Sequence, residues 1–423
     1  MRILICLVAV ALTAARAEAK IIKGPHLQNI KSNGVTIIWQ QDDDSLAFLK
    51  VNGINYAVPP GLIKEIRVSG LQPDTTYRYE IIVNGETASH EFTTAPLDPL
   101  RPFVFLVTGD MRTLHDDHQA VVQQMLEETD ADLVINTGDL VESGESEDDW
   151  QKFFDIEAPL ISEIPWYSTV GNHEVVSGQL PNLYFDYLAT PIESSGSEAY
   201  YSFTYANSAF IFLDIHANIE EHEEDDWTDF SAPQRDWLNS TLQNFDADAS
   251  IQHIFVFVHV PPFSSKPGRT GSHAVRSNLP LFAEHGVDAV FSGHDHYLER
   301  GVSFDGVRYF IVGGGGAPLY TNESVDNLGP KSAAALPWLD DAHIVRFAAK
   351  LNGYMRLEVS GESITATYKD SAGQILDSSS WRGGEVPDTT WDAGTDSTDG
   401  GGDQGDELVS FSSGSCSCRL VGH

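Results

Sequence analysis

The sequence predicts an α/β body preceded by a small all-β sandwich. From Phe103 to about Phe310, apolar runs of strand length alternate with helix-like segments such as Asp117–Glu128, Ser231–Leu238 and Asn278–His285. That rhythm belongs to α/β folds. Five of the apolar runs end in residues that bind metals. Phe103–Val107 ends at Thr108-Gly109-Asp110, and Leu133–Ile135 at Asn136-Thr137-Gly138-Asp139. Trp166–Val170 ends at Gly171-Asn172-His173-Glu174, and Ile254–Val258 at His259-Val260-Pro261-Pro262. The fifth, Val287–Phe291, leads into Gly293-His294-Asp295-His296. Such positions, at the carboxyl ends of strands, are where open α/β sheets place their sites. The sandwich is read from Lys20 to Pro96, where Gly34–Trp39 is strand-like and Asn52-Gly53 and Asn84-Gly85 mark hairpin turns.

Taken in order, residues 1–19 have the form of a secretory signal peptide. Arg2 precedes the apolar run Ile3–Ala15, and Ala17-Glu18-Ala19 offers a cleavage site before Lys20. The run is too short to span a bilayer and no other stretch reaches ~20 apolar residues, so an exported protein without a transmembrane helix is expected. Residues 20–97 form the sandwich. Leu71, Pro73, Thr75 and Tyr77 follow a pattern that resembles fibronectin III domains. The opening Gly24-Pro25-His26-Leu27-Gln28 is similar to the start of the amino-terminal domain of purple acid phosphatases.

Residues 98–378 are the body. Gly313–Gly316 lacks the lysine of a P-loop and reads as a tight turn. Gly353–Asp370 and Gly373–Asp377 read as closing strands, and residues 379–423 as an acidic, flexible tail. Near its end, Gly414-Ser415-Cys416-Ser417-Cys418-Arg419 resembles the start of a myxosortase-type sorting signal, which implies attachment to the cell surface. Pairing or idleness of the two cysteines is the simpler alternative.

Composition narrows the chemistry. The three cysteines are Cys6, Cys416 and Cys418, so the body must hold any metal through oxygen and nitrogen. A net charge of -37 argues against binding a nucleic-acid polymer, whose phosphates would be repelled. His294 and His296 alone could be two ordinary histidines at a strand end. In a turn at Gly293 they would instead fan out towards two neighbouring ions.

The ordered set G-D, G-D, G-N-H-E, H and G-H-x-H resembles the calcineurin-like metallophosphoesterases. With the sandwich added, it is most similar to the purple acid phosphatase branch. The resemblance covers about Lys20 to Asp377 and implies an αββα sandwich with two metal ions (Fe, Zn or Mn). By motif, Asp110, Asp139 and His296 would hold one ion, and Asp139, Asn172, His259 and His294 the other. His173 would face the substrate, oriented by Glu174. Two departures stand out. Arg112 occupies a position where many relatives carry a ligand histidine, and Glu142 one where purple acid phosphatases carry a tyrosine. The first ion then lacks a ligand, and no iron-to-phenolate colour is expected. Glu142 or His118 would be replacements, and Arg112 a binder of substrate phosphate through its planar fork; ordinary ion pairs are the rival for each. His115, His216, His222 and His273 are possible pocket residues, Tyr297 and Glu299 packing, and Glu220–Asp226 a solvated loop.

The expectation is an exported dinuclear-metal phosphoesterase. Its substrate would be a phosphate monoester, attacked by a hydroxide held on the metals without a phosphoenzyme. The alternatives are a phosphodiesterase of the same fold and an inactive surface-binding protein.

Overall fold

The computed structural model describes residues 20–216, 230–320, 331–332 and 343–389. The signal-peptide segment, His222 with the acidic run around it, all three cysteines and the sorting-like tail lie outside the described residues. No described helix is long and apolar enough to cross a membrane.

The amino-terminal sandwich contains β1 (Ile21–Lys31), β2 (Gly34–Gln41), β3 (Ala47–Val51), β4 (Ile54–Tyr56), β5 (Ile63–Ser69), β6 (Thr76–Val83) and β7 (Glu86–Thr93). They form two antiparallel sheets, ordered β1-β2-β5 and β4-β3-β6-β7. Both Asn-Gly turns are where the sequence puts them. Asn52 and Gly53 have φ of 48° and 80°, and Asn84 and Gly85 48° and 88°, the doubly left-handed turn that matches strand twist. The sandwich docks on the body through specific bonds. Tyr79 donates to the carbonyl of Ser162 over 2.6 Å, and the His26 ring donates to that of Tyr187 over 2.9 Å.

The first half of the body runs β8 (Phe103–Thr108), α1 (His115–Met125), β9 (Leu133–Asn136), α2 (Glu147–Ile161), β10 (Trp166–Ser168) and α3 (Asn182–Tyr187). Next come β11 (Tyr201–Tyr205), β12 (Ser208–Leu213), α4 (Ala232–Ala247), β13 (His253–Val258), α5 (His273–Glu284) and β14 (Ala289–Ser292). The chain closes with β15 (Leu298–Ser303), β16 (Arg308–Val312), β17 (Lys331–Ser332), β18 (His343–Ala349), β19 (Gly353–Ser360), β20 (Ser363–Asp370) and β21 (Ile375–Arg382). One sheet is ordered β10-β9-β8-β19-β20-β21, the other β11-β12-β13-β14-β16-β15-β18-β17.

The layers follow from strand alternation. Phe105 and Val107 of β8 and Phe255 and Phe257 of β13 face the core between the sheets. Val104 and Leu106 face outward against α1 and α2, while Ile254, Val256 and Val258 face α4 and α5. The result is the expected αββα sandwich. Across β12, β13, β14 and β16, Phe212, Phe257, Phe291 and Phe310 sit in register and stack at 4.9, 5.0 and 5.1 Å. Each buried ring contributes about 1.5–3 kcal/mol. This ladder holds the carboxyl ends of β13 and β14 level, and those ends carry His259 and the G-H-x-H turn.

Two expectations shift, and a third gains a physical reason. Helix α1 begins at His115 and α5 at His273, earlier than the apolar pattern indicated, and α5 starts with Ser272 accepting the Val275 N–H. The polar-looking end of the chain continues as β21 to Arg382, past residue 378, because Trp381 is buried against Phe310 at 5.9 Å. Gly313–Gly316 is a close approach: a Cβ on Gly313 would lie 2.2 Å from the Asp295 carbonyl oxygen, and one on Gly315 2.3 Å from that of Gly109.

Candidate metal centre

Three ligand candidates follow a glycine and share one strained backbone state. Asp110, Asp139 and His294 have φ of 57°, 57° and 65°, a region side chains other than glycine's seldom occupy. Strain of this kind costs about 1–3 kcal/mol per residue and gathers at functional sites. It turns each side chain off the line of its strand. The preceding glycines are needed for close approach: a Cβ on Gly293 would lie 2.3 Å from Asp110 Oδ2.

Beyond the strand ends, donor atoms of Asp110, Asp139 and His296 all lie within 4.8 Å of one another. The two histidines of the H-x-H turn diverge. His296 Nε2 sits 3.5 Å from Asp110 Oδ1, whereas His294 Nδ1 sits 3.1 Å from Asn172 Oδ1. His259 Nε2 joins the second group, 3.1 Å from Asn172 Oδ1 and 3.3 Å from Asp139 Oδ1.

Main-chain carbonyls set the tautomers. His259 Nδ1 is 2.7 Å from the Thr137 carbonyl and His296 Nδ1 2.8 Å from that of Pro318, so each Nδ1 carries the proton. In the neutral rings, both Nε2 lone pairs then point at oxygen lone pairs. A cation between them relieves that repulsion, and carbonyl-oriented imidazoles are how proteins build such sites. The donor set therefore fits metal ions bound by nitrogen and oxygen.

The carboxylates lean on nearby positive charge. Burial alone would push Asp139 up, but His259, His173 and Arg112 outweigh it and hold its pKa below the usual carboxylate range. Burial likewise pulls the His259 imidazole down, and Asp139 and Asp110 reverse it, leaving its pKa raised. Glu174 shows the opposite: burial, then the charge of Asp139, push it up to about 7.

Glu174 does not reach the His173 ring, which corrects the expected orienting role. One of its oxygens accepts the N–H groups of Asp139 and Gly171 at 2.9 and 2.8 Å. The other accepts those of Leu140 and Val141 at 2.8 and 3.3 Å. It ties the two ligand loops together. His173 is oriented instead by the Glu142 carbonyl, 2.7 Å from Nδ1, and its Nε2 lies 3.9 Å from Asp139 Oδ2.

The remaining candidates divide. Arg112 reaches the site, its Nε donating to Asp139 Oδ2 over 3.2 Å and its Nη1 to Glu142 Oε2 over 2.9 Å. Glu142 is thus engaged by Arg112 at the rim rather than turned to the donor group. His118 is engaged elsewhere: it lies on the buried face of α1, and its Nε2 is 2.9 Å from Glu157 Oε1 on α2. His115 and His273 are exposed at the starts of α1 and α5. His216 is buried beside His259, with ring centroids 5.4 Å apart. Glu299 and Tyr297 are buried, as packing residues are.

Asp295 escaped the sequence reading. Fully buried between the two histidines, it accepts from Ser264 Oγ at 2.5 Å, the Tyr297 hydroxyl at 2.9 Å and Arg269 at 2.7 Å. It anchors the wall of a cavity beside His294, lined also by Val260, Pro261, Thr270 and Gly271. Its only signal was its place inside H-D-H.

Residues 103–298 match the family model described as calcineurin-like phosphoesterase. A probable purple acid phosphatase 20 of Arabidopsis thaliana is 28% identical over 253 residues, covering 57% of this chain and 56% of that protein. The chain spans about half the length of the relatives it matches in sequence. Among solved structures, the purple acid phosphatase PPD1 from yellow lupin (Lupinus luteus) superposes with a TM-score of 0.66 at 18% identity, over 85% of this chain and 74% of that one. A structure of PhoD gives 0.62 at 13% identity, over 88% and 92%. These two likenesses establish the fold. Residues 103–298 form a calcineurin-like phosphoesterase domain, in a chain homologous to the purple acid phosphatases.

Proposed function

We propose that the protein is an exported, dinuclear-metal phosphoesterase that hydrolyses phosphate monoesters. The observation that carries this is the convergence of Asp110, Asp139, Asn172, His259, His294 and His296 from five strand ends, with His173 and Arg112 beside them. Asp110, Asp139 and His296 would hold one ion, and Asp139, Asn172, His259 and His294 the other. Bound there, the pair would supply Lewis acidity and a water acidic enough to serve as nucleophile near neutral pH.

The chain's own groups do the rest. Asn172 contributes an uncharged oxygen, so its side of the site stays more electrophilic than a carboxylate would leave it. His173, fixed through Nδ1, presents Nε2 to protonate the leaving alkoxide. Arg112, its Nε and Nη1 held by Asp139 and Glu142, adds its positive charge beside a bound phosphate. Glu174 and the Thr137 and Pro318 carbonyls hold the ligands in place before substrate arrives. Export rests on the amino-terminal segment, and surface attachment on the Cys416–Cys418 tail; a mature amino terminus at Lys20 on the secreted protein would test the first.

The test of activity is hydrolysis of a nitrophenyl monoester and a bis-nitrophenyl diester by metal-replete protein. Faster turnover of the monoester is expected. Preference for the diester would make the protein a phosphodiesterase. No turnover of either would leave a binding protein built on an enzyme's frame.

A further inference from the structure

The two donor groups share Asp139 and differ in everything else. Asn172, His259 and His294 surround it on one side, where the three ring and amide contacts lie between 3.1 and 3.3 Å. On the other side, among the described residues, Asp110 and His296 join it. Both Asp110 oxygens also accept the His294 main-chain N–H, at 3.0 and 2.8 Å, which divides their donor capacity.

Arg112 widens the gap. It stands at the end of the Asp110 loop with its side chain 14% exposed, and donates Nε to Asp139 Oδ2. Its Nη1 reaches Thr113 Oγ1 at 3.2 Å as well as Glu142, so the guanidinium is pinned rather than free to leave. A guanidinium has no lone pair to offer a metal. Its charge repels a cation placed between Asp110 and His296, and cancels the extra negative charge that Asp110 brings.

We propose, building on the dinuclear reading above, that the two ions are held unequally and that Arg112 sets the difference. The Asn172–His259–His294 side keeps its ion. The Asp110–His296 side holds its ion weakly and exchanges it with the surroundings. Activity then follows the metal available outside the protein, because one half of the centre empties first.

The test is zinc binding by the full chain. Metal-stripped protein is titrated with Zn²⁺ against a competing chelator, and bound zinc is counted after gel filtration. Two loading steps are expected, separated by about tenfold or more in affinity. His296→Ala should remove the weaker step and His259→Ala the stronger. Arg112→His, which trades the charge for a nitrogen donor, should tighten the weaker step by about tenfold or more. Arg112→Ala, which removes only the charge, should tighten it less, and it provides a second reading if the histidine variant does not fold.

Two equal steps in the wild type would overturn the inference while leaving the dinuclear centre standing. So would a weak step unmoved in both Arg112 variants with unchanged circular dichroism, or loss of the stronger step in His296→Ala. Failure to bind zinc, manganese or iron at all would overturn the dinuclear reading itself.

Discussion

The amino-terminal sandwich and the α/β body bury different things. In β6 of the sandwich, Tyr77, Tyr79, Ile81 and Val83 point inward while Arg78 and Glu80 alternate away from the core. Among the described residues 20–96, no carboxylate is buried. In the body, β8, β9, β13 and β14 are buried on both faces, and Asp110, Asp139, Glu157, Glu174, Asp288, Asp295 and Glu299 are buried with them. Burying a carboxylate is costly unless something replaces its water. For Glu174 that is a ring of main-chain N–H groups, for Glu157 the His118 ring, and for Asp295 two hydroxyls and Arg269. Asp110 and Asp139 instead face a common point with His296. The described part of the sandwich folds without a buried carboxylate; the body carries charges whose placement makes sense with a cation among them.

The difference can be broken at several depths. The largest effect is expected from His173→Ala, which should lower kcat by about 10²–10⁴-fold. Metal content should stay at the wild-type level, since His173 is held by the Glu142 carbonyl and not by the donor group. A parallel loss of metal would make it a ligand instead. Gly293→Ala comes next. Its Cβ would press on Asp110 Oδ2 and on Thr137 Oγ1 at 2.8 Å, and a displacement of that kind should cost about 10²-fold in kcat/KM while the protein still folds.

In the sandwich, the same scale of damage should appear only as stability. Trp39 is 1% exposed in β2, and Trp39→Ala should cost about 3–5 kcal/mol in denaturant unfolding. The kcat of the folded fraction should not change. A lowered kcat would mean that the sandwich shapes the site.

The smallest effect is a pH slope. Burial pushes the Glu299 carboxyl up from 4.5 to about 8, while Tyr309 donates to Oε1 over 2.9 Å. Its folded pKa is raised, so its contribution is fully present below about pH 4.5 and fades as pH rises through about 8, because the unfolded chain releases the proton first. Glu299→Gln should flatten the loss of Tm across that window. An equally steep slope in the variant would assign it to other groups.

What the sequence made legible was local. Apolar runs ending in Gly-Asp or Gly-His expose both the strand and the ligand that follows it, and Asn-Gly exposes a hairpin turn from two residues. Contacts between distant segments were not legible. His118 meets Glu157 across 39 positions, Asn172 meets His294 across 122, and β19 enters the sheet beside β8 from the far end of the chain. Nothing near Glu174 announces that four main-chain N–H groups from two loops will surround it. Ser378–Ser380 look like a solvated tail until Trp381 is seen to close the core.

The most direct measurement is metal content with parallel hydrolysis of a phosphomonoester, on the wild type and on His294→Ala. About two ions per chain are expected in the wild type, with the variant losing one ion and turnover together. A His294→Ala protein that keeps two ions and full turnover, or a wild type that binds none and hydrolyses nothing, would contradict a dinuclear hydrolytic centre at these strand ends.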